Sequence, residues 1–85
     1  MQLHNQTAII TGAGKGIGAA TAHALAREGV QLGLVARTAA DLEQLQRELT
    51  DKYQVKVYFA TADIADRSAV ERAVATLTEQ LGRVD

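Results

Sequence analysis

Three short apolar runs, each followed by a longer stretch whose apolar residues recur every third or fourth position, set the pattern of this chain. The first run, Thr7, Ala8, Ile9, Ile10 and Thr11, is too short and too β-branched for a helix. Unalternated and bounded by glycine, it has the pattern of a parallel strand buried on both faces. The second run covers residues 31–36 (QLGLVA) and the third residues 56–60 (KVYFA), and both are predicted strands. A helix is predicted over 16–28, with Ile17, Ala20, Thr21, Ala24 and Leu25 on one face and Gly29 as its stop. Thr38, with Asp41 three residues on, resembles a capping box opening a second helix through 51, with Leu42, Leu45 and Leu49 as its buried stripe. The third helix is predicted over 67–81, with Val70, Ala73, Val74, Leu77 and Leu81 on one side and Gly82 ending it. A fourth strand is expected to start at Val84 and Asp85.

Strand and helix alternating three times, each helix long enough for a crossover, predict an α/β fold: a parallel sheet with right-handed connections. The expected strand order is 3-2-1, one mononucleotide-binding half of a doubly wound sheet. In the complete arrangement strand 1 also pairs with strand 4, so here it is expected to be an exposed apolar edge that invites association. The 85 residues fall below the common domain size of about 100 to 150 residues and are read as part of something longer. With no proline and no linker or repeat, they form one unit.

A formal charge of -1 gives no electrostatic case for nucleic acid or a membrane surface, and neither partner is expected. There is no cysteine, and His4 and His23 are the only imidazoles, so neither disulfides nor a metal site is expected. The start MQLHNQTAII lacks the features of a signal peptide, no segment approaches about 20 apolar residues, and the chain is read as cytoplasmic.

The chemistry concentrates between the first strand and the first helix, where glycine recurs at Gly12, Gly14, Gly16 and Gly18. Glycine admits φ above zero and close approach of a ligand to the main chain, and the free N–H groups opening a helix favour negative charge. The expected ligand is a pyrophosphate. A Walker loop would need Ser or Thr after Lys15, where Gly16 stands; a strict G-x-G-x-x-G from Gly12 would need glycine at Ile17. What fits is Thr11-Gly12, three residues, then Gly16-Ile17-Gly18. That spacing directly after an N-terminal strand resembles the short-chain dehydrogenase/reductase family. The resemblance implies a Rossmann-like fold, of which this chain is the N-terminal part of a single NADP(H)-binding domain, with Gly12, Gly14, Lys15, Gly16, Ile17 and Gly18 around the cofactor.

In dinucleotide-binding folds an acid about 20 positions after the loop takes the ribose 2′-hydroxyl of NAD, whereas an arginine takes the 2′-phosphate of NADP. Strand 2 ends Val35-Ala36-Arg37-Thr38, with no carboxylate. Guanidinium binds phosphate through paired N–H groups and stays charged, so Arg37, with Lys15 as a second cation, points to NADP(H). Each cation alone would read as solvated surface. Thr61-Ala62-Asp63-Ile64 resembles the family's segment beside adenine, in which Asp63 accepts from the adenine amine and Ile64 packs near the base. The alternative for Asp63 is that it only fixes the strand-to-helix loop. The family's chemistry uses an Asn-Asn-Ala-Gly segment, a serine and a Tyr-x-x-x-Lys pair; Val57 follows Tyr53 by four and Ala62 follows Tyr58 by four, so no catalytic residue is assigned. Within the family, GVQLGLVARTAADLEQL and TADIADRSAVERAV are similar to bacterial 3-oxoacyl-acyl-carrier-protein reductases. That likeness implies a homotetrameric enzyme of fatty acid biosynthesis acting on an acyl-carrier-bound ketone, with a small-molecule ketone as the wider class. A nucleotide-binding or redox-sensing module without chemistry is the other reading.

Overall fold

A computed structural model describes residues 6–14 and 16–82. Lys15, His4 and the expected start of a fourth strand at Val84 and Asp85 lie outside the described residues. The elements run β1 (Thr7–Thr11), α1 (Gly16–Arg27), β2 (Gln31–Ala36), α2 (Ala39–Tyr53), β3 (Val57–Thr61) and α3 (Arg67–Leu81). The sheet is parallel in the order β1-β2-β3, with Thr7 opposite Gln31 and Leu32 opposite Val57. The predicted α/β class and strand order 3-2-1 are therefore what the chain adopts. Among the described residues β1 and β3 are the edges of the sheet.

Side chains alternate across the sheet, and the two faces carry different helices. Ala8, Ile10, Leu32, Leu34, Val57 and Phe59 share a core with Ala22 and Ala26 of α1 and with Leu42, Leu45 and Leu49 of α2. Ile9, Val35, Tyr58 and Ala60 face the other way, onto Ala73 and Leu77 of α3. All three strands are in contact with α3. In the middle of β2, Gly33 is what lets α3 approach: a Cβ there would stand 3.2 Å from both Leu77 Cβ and Leu81 Cδ1 and 3.3 Å from Ile9 Cγ1. Gly33→Val should therefore overpack this face and destabilise the protein by about 1–3 kcal/mol. The check is a denaturant titration of the full-length protein; unchanged stability would show that α3 does not press on Gly33.

Several boundaries and one helix face differ from the sequence reading. Of the stripe Ile17, Ala20, Thr21, Ala24 and Leu25, only Leu25 packs against the core: Ile17 is 87% exposed, Ala20, Thr21 and Ala24 are exposed, and Ala22 and Ala26 are the fully buried residues of α1. Alanine occupies both sides of this helix, so spacing alone could not choose between stripes. The choice falls to the side where α2 and the sheet lie. Helix α1 ends at Arg27, with Gly29 at φ +88° as the expected stop. Helix α2 runs to Tyr53 rather than 51 because Gln54, not a glycine, takes the left-handed cap at φ 59° and donates to Thr50 O at 2.9 Å. The capping box is absent on the Thr38 side: its hydroxyl makes no cap bond, and the turn closes through Leu42 N–H to Thr38 O at 3.3 Å. Strand β3 is displaced by one residue from 56–60, since Lys56 only offers its carbonyl to Leu32 N–H (2.9 Å) and Thr61 extends the ladder. For α3 the predicted bounds hold; Asp66 caps it by accepting from Ala69 N–H at 3.1 Å, and Gly82 ends it at φ +81°.

Candidate nucleotide-binding site

The loop after β1 is fastened from below before it can present anything above. The amides of Gly12 and Ala13 both donate to Val35 O, at 2.7 and 3.2 Å, and Ala13 is fully buried in the core shared by α1 and α2. Gly12 and Gly16 hold φ of +71° and +60°, values that glycine takes without strain. Gly18 meets a different demand: a Cβ there would overlap the carbonyl of Gly12, so α1 can start this close to the loop only without a side chain at 18. The opening amides of α1, at Gly16, Ile17 and Gly18, have no acceptor within their own helix and leave its positive end towards the loop.

A cleft of about 260 Å³ lies against this loop. Gly12 and Gly14 form one wall, Ala36, Arg37, Thr38 and Asp41 another, and Ile64 closes it from the β3–α3 connection. The ends of all three strands thus contribute. Arg37 is exposed, with its guanidinium available to a ligand, and Ile64, 46% exposed, is one of the two large apolar side chains open to solvent among the described residues. The connection is drawn in by Ala62 N–H, which donates to Ala36 O at 3.0 Å. Asp63 does not line the cleft: one carboxylate oxygen accepts from Ala65 N–H at 3.0 Å and its carbonyl from Asp66 N–H at 2.8 Å, so it shapes the loop that carries Ile64. The Ile17 side chain lies outside the cleft as well. Gly12, Gly14, Arg37, Thr38 and Ile64 are therefore brought together, and Gly16, Ile17 and Gly18 adjoin them through the helix start.

Two contributors were not singled out from the sequence. Ala13, between the glycines, is the anchor of the loop; its only sequence signal is an apolar residue within a glycine run. Asp41, the cap partner expected from the sequence, lines the cleft, and its Cβ would stand 3.3 Å from a Cβ at Gly14. Its signal is position: the first turn of the helix that opens from Arg37.

A fastened glycine loop before a helix, and a cleft at the carboxyl ends of parallel strands, define a dinucleotide-binding half-domain. The family model described as short chain dehydrogenase matches residues 6–85. The chain belongs to the short chain dehydrogenase family. It is 47% identical over 83 residues to glycine betaine reductase ATRR of Emericella nidulans, covering 98% of this chain and 6% of that protein. L-sorbose reductase of Gluconobacter frateurii, solved with NADPH and L-sorbose, superposes with a TM-score of 0.92 at 34% identity over 100% of this chain and 32% of its own. Xylitol dehydrogenase, solved with NAD⁺ bound, gives a TM-score of 0.92 at 27% identity over the same shares, 100% and 32%. The chain thus spans about a third of the length of these solved enzymes. No helix among the described residues is long and apolar enough to cross a membrane.

Proposed function

We propose that this chain is the NADP(H)-binding part, within a single domain, of an oxidoreductase that reduces a ketone. The observation that carries the reading is that Arg37 and the glycine loop line one cleft. One fold holds NADPH in L-sorbose reductase and NAD⁺ in xylitol dehydrogenase, so the fold leaves the cofactor open and side chains decide it. Arg37 follows β2, where a 2′-phosphate would meet its N–H groups, with Thr38 beside it and Lys15 of the loop as a further cation. The amides of Gly16, Ile17 and Gly18 would hold the pyrophosphate, Gly12 and Gly14 give the backbone room, and Ile64 packs on the adenine, whose amine would donate to the Asp63 oxygen that does not take the Ala65 N–H. When bound, the nicotinamide supplies the hydride; the protein supplies orientation and a proton donor.

The substrate is proposed to be a 3-oxoacyl group on acyl carrier protein, within fatty acid biosynthesis in the cytoplasm, and the complete enzyme a homotetramer. The likeness of 29–45 and 61–74 to such reductases is what supports this choice. The test is NADPH oxidation by the full-length protein with a 3-oxoacyl thioester, a small ketone and a sugar. Turnover with the thioester fastest is expected. Turnover with only the sugar or the small ketone would move the substrate. Tight NADPH binding without turnover on any of them would make the protein a non-catalytic binding module.

A further inference from the structure

A second polar cluster joins α1 to α2 away from the cleft. The His23 ring meets the Tyr53 ring edge-on, with centroids 5.8 Å apart and planes at 74°. Its Nδ1 is 3.2 Å from the Tyr53 hydroxyl and its Nε2 is 3.4 Å from Glu48 Oε2. A neutral ring satisfies both contacts at once, with Nε2–H donating to the carboxylate and Nδ1 accepting from the Tyr53 O–H. A charged ring satisfies them too, by donating through both nitrogens. Lys52 stands 5.5 Å from the Tyr53 ring centroid and adds a cation at its face.

The spacing connects this clasp to the cleft. His23 lies seven residues after Gly16, where α1 begins, and Glu48 lies seven after Asp41 in the first turn of α2. Seven residues are nearly two turns, about 10.5 Å along the axis and on almost the same face. Each helix is therefore a short rod with one end at the cleft and a clasp residue two turns along it. At the cleft end, Gly14 abuts Asp41. Between the ends the seam is open, with a void of about 160 Å³ bordered by Gly14, Ala19, His23, Leu45 and Glu48. Beneath it the fully buried residues of α1 are Ala22 and Ala26, with Ala19 and Leu25 partly buried against the same core, so most of the contact is made by short side chains and the clasp adds a longer one to the seam.

We infer that His23, held by Tyr53 and Glu48, is a positioning residue that sets the spacing of α1 and α2, and with it the distance between the glycine loop and Arg37. The inference rests on the nucleotide reading above. NADPH has to meet both walls, pyrophosphate on one and 2′-phosphate on the other, whereas NADH has no phosphate for Arg37. Loosening the clasp should therefore lower the preference for NADPH over NADH, which a merely stabilising contact would not do.

The experiment measures dissociation constants of NADPH and NADH, with melting temperatures, for the full-length protein and for His23→Ala, His23→Gln and Tyr53→Phe. His23→Ala should weaken NADPH by about threefold to tenfold and NADH by less than twofold. His23→Gln, whose amide offers a donor and an acceptor, should recover most of the loss. Tyr53→Phe, which keeps the ring and removes one O–H, should give a smaller loss of the same sign, and it decides the matter if His23→Ala does not fold. Unchanged cofactor preference in both His23→Ala and Tyr53→Phe, whatever happens to melting, would overturn the inference. Failure of the wild type to bind either nucleotide would instead refute the nucleotide reading, and this inference with it.

Discussion

Full-length protein carrying Gly18→Ala is expected to lose measurable NADPH binding and to melt well below the wild type. The added Cβ would overlap Gly12 O, lie 2.9 Å from Gly12 C and 3.0 Å from Ala13 Cα. All three are main-chain atoms and cannot rotate aside. Nor can the loop retreat, because Gly12 and Ala13 are tied to Val35 O and Ala13 fills the core with no exposed surface. Overpacking typically costs about 1–3 kcal/mol, and a backbone obstacle places this substitution at or above the upper end. Relief would come from α1 moving off the loop, which withdraws the helix-start amides from the pyrophosphate. Gly16→Asn is the informative contrast: a Cβ at 16 meets nothing within 4 Å, and asparagine tolerates φ +60° better than other side chains. Its stability should fall only slightly. Calorimetry with a nucleotide titration checks both, and wild-type values for Gly18→Ala would show that the loop and helix start are further apart than described.

Arg37→Ala should weaken NADPH by about tenfold to a hundredfold and leave NADH nearly unchanged. A hydrogen bond to a charged partner is worth roughly 1.5–3 kcal/mol, and 1.4 kcal/mol is a factor of ten in affinity. The loss is expected to be substantial because, among the described residues, Arg37 is the cation that lines the cleft, so its removal takes the charged partner from a 2′-phosphate there. Ala36→Asp should act further in the same direction, by adding a carboxylate at the end of β2 that repels phosphate and accepts a ribose hydroxyl. Parallel titrations with both cofactors read the effect. Equal weakening of NADPH and NADH by Arg37→Ala would remove Arg37 from the 2′-phosphate.

Much of this was legible in the residues, for identifiable reasons. The strands were readable because parallel strands covered on both faces need unbroken apolar runs, and Ile9, Ile10, Leu32, Leu34 and Val35 supply them. Helix α3 was readable to both ends because Leu77 and Ala73 repeat at helical spacing and Gly82 closes it. What failed was decided by neighbours rather than by local preference. The buried side of α1 depends on where α2 lies, and alanine on both sides gave no signal. The end of α2 depends on Gln54 accepting a left-handed conformation that sequence assigns to glycine. Asp63 shows the same limit within the site: the residue type allowed a loop brace, an adenine contact or both, and the fold uses one of its oxygens as the brace. The clasp of His23 with Tyr53 and Glu48 spans 30 and 25 positions, separations at which no local pattern operates.

Whether Arg37 and the glycine loop form one site for a 2′-phosphorylated dinucleotide is decided by a crystal structure of the full-length protein with NADPH. The pyrophosphate is expected over the amides of Gly16 to Gly18 and the 2′-phosphate within hydrogen-bonding distance of the Arg37 guanidinium. A 2′-phosphate directed away from Arg37, or a nucleotide bound outside the cleft between Gly12 and Thr38, would contradict it.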